Sequence, residues 1–243
     1  MKNERLDTIM SSRGLVESRS LAQRLIMAGQ VRVGGEMMIK PSAKISLEAI
    51  IEIDLGPKFV SRGGDKLEAA LRAFKLIDLS EMKCADVGAS TGGFTDCLLQ
   101  YGAKIVYGID VGYGVLHWKL RNNPNVVVME RTNARYVKDL PTPIDLVTID
   151  ASFISLKNLL PNIRGWFGNN GGKVVALIKP QFEAGKAEAA KGEGVIRDIG
   201  IHRLIVKDVI QFSIKEGYKI EGLIKSPLIG PKGNKEFLIL LTY

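Results

Sequence analysis

The stretch Lys83-Cys84-Ala85-Asp86-Val87-Gly88-Ala89-Ser90-Thr91-Gly92-Gly93-Phe94 constrains this chain more than any other. A short apolar strand runs into an acid, a glycine-rich turn follows, and Phe94-Thr95-Asp96-Cys97-Leu98-Leu99 reads as a helix. Strand, turn and helix are the first half of a nucleotide-binding βαβ unit. The second half is Ile105-Val106-Tyr107-Gly108-Ile109, a buried-type strand ending at Asp110, 22 residues past Gly88. Folds of this kind set a carboxylate at that distance against a ribose diol.

The glycine spacing narrows the ligand. A dinucleotide site needs G-x-G-x-x-G, with free N–H groups at a helix N-terminus facing a pyrophosphate. Gly88, Gly92 and Gly93 keep a different spacing, and Asp86 at the mouth of the turn would repel a phosphate. S-adenosylmethionine (SAM) carries an ammonium and a sulfonium but no phosphate, so an acid there favours it. The loop chemistry predicts a methyltransferase site rather than a dehydrogenase site.

Strand and helix alternate downstream, as a doubly wound sheet requires. Val126–Met129 and Leu146–Ile149 read as strands, the second ending at Asp150. Leu156 to Phe167 reads as a helix broken at Pro161, and Val174 to Ile178 as a strand ending at Lys179. Ala184 to Gly194 reads as a mobile segment, and a helix is expected from about Ile201 to Glu216. Two last strands, near Tyr218–Ile224 and Glu236–Tyr243, are expected to pair antiparallel. Ligands of open α/β sheets sit beyond the carboxyl ends of the strands, where Asp86, Asp110, Asp150 and Lys179 stand. Lys66 before the sheet and Glu236 near its end complete the order Lys, Asp, Lys, Glu.

The first 60 or so residues have their own organisation. Leu6, Ile9 and Met10 fall at helical spacing, and Ser18 or Ser20 can cap a second helix carrying Leu21, Leu25 and Ile26. Val31-Arg32-Val33, Gly34-Gly35 and Glu36 to Ile39 outline a hairpin, and Ala49 to Ile53 supplies another strand. Gly56 to Gly64 reads as a linker, after which Asp65 caps a helix bearing Leu67, Leu71 and Phe74. The expected domains are therefore 1–60 and 61–243, with 56–64 between them. Net charge is +8 over 243 residues, which suggests an anionic partner. Cys84 and Cys97 form no C-x-x-C, so neither a disulfide framework nor a metal site is expected. The start Met1-Lys2-Asn3-Glu4-Arg5 lacks a signal-peptide core, and no apolar run nears the ~18 residues a membrane helix needs. A cytoplasmic protein is expected.

Two resemblances sharpen this reading. Arg5-Leu6-Asp7, Gly14, Ser18-Arg19, Ala22, Gly29, Val31 to Gly35 and Lys40-Pro41 together resemble the S-four-like RNA-binding domain, or alpha-L motif. That resemblance implies phosphate contacts from Arg5, Arg13, Arg19, Arg24 and Lys40. The segments Ser61 to Leu67, Asp86 to Asp96, Asp110 to Gly114, Asp150 to Leu156, Leu177 to Glu183 and Gly230 to Phe237 are similar to the TlyA, or hemolysin A, family. That family joins an S-four-like domain to an FtsJ-like methyltransferase. Members usually have Gln where this chain has Val115, and often Val at Ala151.

The resemblance implies an α/β fold: a Rossmann-like SAM-dependent methyltransferase, its mostly parallel sheet carrying a C-terminal antiparallel strand, preceded by a small α+β S-four-like domain. It also implies 2′-O-methylation of ribose, at cytidine, in ribosomal RNA or ribosomal subunits; the sequence leaves the oligomeric state open, with a monomer favoured. Lys66, Asp150, Lys179 and Glu236 take the positions of the catalytic tetrad, with Lys179 accepting or orienting the hydroxyl proton. Cofactor contacts are expected from Asp86, Gly88, Ala89, Ser90, Thr91, Gly92, Gly93 and Phe94 at the methionine end. Asp110 and Val111 are expected at the cofactor ribose, and Asn133 near the adenine. Two other classes stay open on sequence: an RNA-binding assembly factor with an inactive methyltransferase domain, and a membrane-active hemolysin.

Overall fold

A computed structural model of the protein describes residues 3–54, 56–184 and 194–243. Most of the segment expected to be mobile, 185–193, lies outside the described residues. The chain divides into two compact units, Met1–Lys58 and Phe59–Tyr243.

In the first unit, β1 (Asn3–Arg5) leads into α1 (Leu6–Ser12) and then α2 (Arg19–Met27). Helix α2 starts at Ser18, whose hydroxyl accepts the Leu21 N–H at 3.2 Å. Leu6, Met10, Ala22 and Ile26 close over Val31 as a small fully buried core. Strands β2 (Val31–Val33) and β3 (Glu36–Met38) form the hairpin, with Gly34 and Gly35 both at positive φ. That backbone is what a two-residue turn between twisted strands demands. Strand β4 (Lys44–Ser46) pairs with β1, and β5 (Ile51–Ile53) with β2. The β1–β4 pair has no sequence signal, because Asn3-Glu4-Arg5 offers no apolar alternation.

The glycine-rich stretch before the second unit is more than a linker. Phe59 is buried against Leu67 and Leu71, and the Val60 N–H donates to the Asp96 carboxylate at 2.9 Å. A Cβ on Gly64 would stand 2.2 Å from the Phe59 ring, so this glycine is a packing requirement. Helix α3 (Gly63–Ala73) consequently begins two residues ahead of Asp65, which lies in its first turn instead of capping it.

The sheet follows: β6 (Lys83–Val87), α4 (Gly93–Gln100), β7 (Ile105–Ile109), α5 (Trp118–Arg121), β8 (Val126–Met129) and β9 (Leu146–Ile149). After these come α6 (Leu160–Ile163), β10 (Lys173–Ile178), α7 (Pro180–Glu183), α8 (Ile199–Lys215), β11 (Lys219–Lys225) and β12 (Phe237–Thr242). The helix expected over 156–167 resolves into two 3-10 turns flanking α6. Pro161 lies in the first turn of α6, where its missing N–H costs no bond. It helps start the helix rather than break it.

The strands form one seven-stranded sheet in the order β11-β12-β10-β9-β6-β7-β8. The run from β10 to β8 is parallel, and β12 lies antiparallel to both β10 and β11. Alternate residues of β10 feed opposite layers. Val174, Ala176 and Ile178 pack with α6 and α8, whereas Val175 and Leu177 pack with α3 and α4.

Candidate active site

Strand order reverses at β6, which has β7 on one side and β9 on the other. The carboxyl ends of β6 and β9 therefore form the topological switch point where such sheets bind ligands. Gly88 makes the approach possible. Its φ is +83°, and a Cβ there would sit 2.8 Å from the Asp150 carbonyl oxygen. Any other residue would push the turn off the end of β9.

A cavity of about 1150 Å³ opens at this point. Val87, Gly88, Ser90, Asp110, Val111, Thr132, Asn133, Asp150, Ser152, Phe153, Gln181 and Phe182 contribute to its wall. The Asp110 carboxylate accepts the Ser90 N–H at 2.8 Å and the Gly112 N–H at 2.7 Å. Each oxygen keeps a lone pair for a diol. The Asn133 oxygen accepts the Arg135 N–H at 3.1 Å, which fixes the side chain at the wall. Asp110 and Asp150 outnumber Arg135 among the charged wall residues, so the cavity suits a cation-bearing nucleoside better than a pyrophosphate.

A smaller cavity of about 300 Å³ adjoins it, sharing Gly88, Ser90, Asp150 and Ser152. Ala89, Thr91, Gly93 and Phe94 line this side, as do Lys66, Lys179 and the loop Leu228-Ile229-Gly230. The four charged residues resolve into two ion pairs. Lys66 Nζ lies 2.6 Å from Glu236 Oε2, and the Glu236 side chain is fully buried. Its other oxygen, Oε1, has no hydrogen-bond partner and lies where a Cβ on Gly230 would stand 2.2 Å away. Gly230 is held there by donating its N–H to the Asn234 carbonyl at 2.8 Å. Lys179 Nζ lies 2.6 Å from Asp150 Oδ1. Lys179 also donates to Ser152 Oγ at 3.0 Å and to the Asp150 carbonyl at 3.5 Å.

Two residues expected to contact the cofactor line neither cavity. Asp86 has no exposed surface and accepts hydrogen bonds from Thr95 at 2.7 Å and Thr148 at 3.0 Å. Burial raises its carboxyl to about 7 against those two donors, and the nearby Asp150 adds to the rise. Asp86 therefore sits beneath the turn and does not line its mouth. Gly92 lines neither cavity. Its φ is +97°, and a Cβ would meet Leu120 Cδ1 at 2.2 Å, so it serves the packing of α5. A valine at Gly92 or Gly93 would thus disturb the fold and not merely a methionine pocket.

Sequence reasoning passed over Ser152, Phe153, Gln181 and Phe182. Phe153 is 90% exposed at φ +62°, and its ring centre is 5.0 Å from that of Phe182. The Phe182 ring centre in turn lies 5.8 Å from the Lys179 ammonium, so the exposed, strained Phe153 ring offers a surface next to this corner on which a base can stack. Its signal was a phenylalanine in the strand-end loop Asp150 to Ser155. Among the described residues, no group of His, Cys, Asp and Glu is arranged to hold a metal.

In the first unit, the proposed phosphate-binding cations fall into two groups. Arg5 and Arg19 converge on buried Asp7, at 2.9 and 3.1 Å, and Gln23 donates to the same carboxylate at 2.8 Å. The Arg5 bond, helped by Gln23 and Arg19, holds Asp7 well below the usual carboxylate range. Arg13 donates to the Ala49 carbonyl at 2.8 Å, and Arg24 and Lys40 are exposed. Asp7 was readable only as an acid beside Arg5; its role as a hub needs α1 and α2 side by side.

The sheet order, the glycine turn at the switch point and the acid closing β7 define the second unit as a Rossmann-like SAM-dependent methyltransferase. Comparison with known proteins makes this specific. The chain belongs to the FtsJ-like methyltransferase family, whose model matches residues 59–243, and it carries an S4 domain, matched over 4–51. It is 46% identical over its full length to the candidate rRNA methyltransferase YqxC of Bacillus subtilis (strain 168), covering 86% of that protein. It is 42% identical to the 16S/23S rRNA (cytidine-2′-O)-methyltransferase TlyA of Mycobacterium tuberculosis (strain ATCC 25618 / H37Rv), over 99% of this chain and 90% of that one. A solved structure of a candidate hemolysin from Streptococcus thermophilus is similar with a TM-score of 0.73 and 42% identity, over 100% of this chain and 89% of that one.

Proposed function

We propose that this protein methylates the 2′-oxygen of ribose, at cytidine, in ribosomal RNA, and that the S4 domain docks it on that RNA. The observation that carries the reading is the meeting of the two lysine–carboxylate pairs with the cofactor-sized cavity at one switch point. The TlyA relative named above acts on cytidine 2′-oxygens, and this chain has a comparable span.

SAM, when bound, supplies a methyl group already activated by its sulfonium. The protein's own task is therefore to hold a weakly acidic hydroxyl in line with that methyl. Positioning of this kind supplies about 7–11 kcal/mol of a barrier. Asp110 holds the cofactor ribose, Asn133 borders the adenine, and the turn from Gly88 to Phe94 receives the methionine end. Asp86 acts on that end from below, through its field. Lys179 faces the substrate hydroxyl, Asp150 keeps the ammonium in place, and Lys66, held by buried Glu236, lines the same small cavity. Arg5 and Arg19, braced by Asp7, present their remaining N–H groups to phosphates, while Arg13, Arg24 and Lys40 widen the basic face. Such contacts position the protein without reading sequence.

The test offers methyl-labelled SAM with intact ribosomal subunits and with naked ribosomal RNA, followed by mapping of the label. Label at a cytidine 2′-oxygen is expected. Label on a base, or none on any RNA, would overturn the reading.

A further inference from the structure

We propose that Ser152 is a catalytic residue, forming with Lys179 a two-point clamp that grips the substrate 2′-hydroxyl. This rests on the ribose-methylation reading above. Ser152 is one of four residues common to both cavities, so its hydroxyl stands where the cofactor side meets the substrate side. Its hydroxyl also accepts a hydrogen bond from the Lys179 ammonium, at 3.0 Å. The Asp150 carboxylate, 2.6 Å away, anchors the ammonium by charge. The main-chain oxygen of Asp150, at 3.5 Å, is at the limit of a hydrogen bond. Anchored by the carboxylate, the ammonium turns one N–H to the serine hydroxyl on the wall of the smaller cavity.

A ribose hydroxyl is both donor and acceptor, as the Lys179–Ser152 pair is. Inserted between them, its oxygen accepts from Lys179 and its hydrogen is donated to Ser152 Oγ. Those two bonds leave one lone pair of the 2′-oxygen free and fix where it points. Neither residue alone does so: a lone ammonium allows rotation about its bond, and a lone serine allows the hydroxyl to turn around. The ion pair with Asp150 keeps Lys179 in place while its bond to Ser152 is exchanged for the substrate. A 2′-deoxyribose offers no group to this clamp and leaves the original Lys179–Ser152 bond intact.

The experiment compares wild type with Ser152→Ala and Ser152→Thr in the full-length protein, each checked for unchanged SAM affinity. The RNA is a fragment carrying the mapped nucleotide, made with ribose or 2′-deoxyribose at that position. Without SAM, wild type should bind the ribose form about 10-fold more tightly than the deoxy form, as one charge-assisted hydrogen bond allows. Ser152→Ala should lose most of that preference, and its single-turnover rate with SAM at saturating RNA should fall about 10²-fold. Ser152→Thr, which keeps the hydroxyl, should restore both within a few-fold. Full rate and full ribose preference in Ser152→Ala would overturn the clamp, as would a threonine variant no better than alanine. A wild type that puts no methyl on ribose would instead overturn the functional reading, and the clamp with it.

Discussion

Single side chains carry the chemistry here, and the least conventional is Asp86. Its carboxyl, ordinarily near 3.8, is raised to about 7 because burial costs more than Thr95 and Thr148 return. Between those two values the folded protein holds a proton that the unfolded chain releases. Stability contributed by this group is therefore unaffected below about 4, falls as pH rises through the window, and stays low above 7. Without cofactor, Asp86→Asn should gain on wild type in urea denaturation between pH 5 and pH 8, by about 2–3 kcal/mol. An equal difference at both pH values would show that the carboxyl is not perturbed. Lys179 makes a separate expectation. Lys179→Ala should cut single-turnover methylation by about 10²–10⁴-fold while SAM affinity, read by calorimetry, stays within a few-fold. A near wild-type rate would remove the lysine from the mechanism.

Elements matter through how closely they approach. The N-termini of α3 and α4 meet at Gly93, where a Cβ would stand 2.8 Å from the Gly64 N and 3.1 Å from the Gly63 Cα. Backbone at that distance cannot turn aside as a side chain can. Gly93→Ala should therefore destabilise the second unit by about 1–3 kcal/mol, as overpacking does. It should also slow methylation, because α3 carries Lys66 and the two helices would separate. Gly114→Ala is the control, since nothing lies within 4 Å of its Cβ position. Its cost should be confined to its positive φ, roughly 1 kcal/mol. If thermal melts rank Gly114→Ala as the worse variant, the close approach of the two helices is not what Gly93 secures.

At the scale of the molecule, the proposed function gives docking to the first unit and chemistry to the second. Arg24→Ala should weaken RNA binding, with the slope of log K against log salt reduced by roughly one phosphate contact. SAM affinity and the rate at saturating RNA should not change. Asp7→Ala should do more, because Arg5, Arg19 and Gln23 all lose their common acceptor. Loss of hydrogen bonds to a buried charge costs about 2–3 kcal/mol, so RNA binding and the melting of the first unit should suffer together. An Asp7→Ala protein with unaltered RNA affinity would remove the brace from the docking account. No helix among the described residues is long and apolar enough to cross a membrane.

Local order along the chain settled much of this without tertiary structure. Apolar runs bounded by glycine, proline or an acid specify β6 to β10, because a strand buried on both faces leaves a continuous hydrophobic signature. The glycine turn and the acids at strand ends follow from the same rows, since period and punctuation are local properties. What tertiary structure decided is which distant groups meet and which face the cavity. Asp86 reads as a mouth residue until Thr95 and Thr148 close over it from α4 and β9. Lys66 and Glu236 are 170 positions apart, and only the antiparallel return of β12 beside β10 brings them to 2.6 Å. Ser152 is an ordinary loop serine until β10 delivers Lys179 beside it. Contacts of that kind depend on how layers stack, and a one-dimensional pattern of polarity carries no record of it.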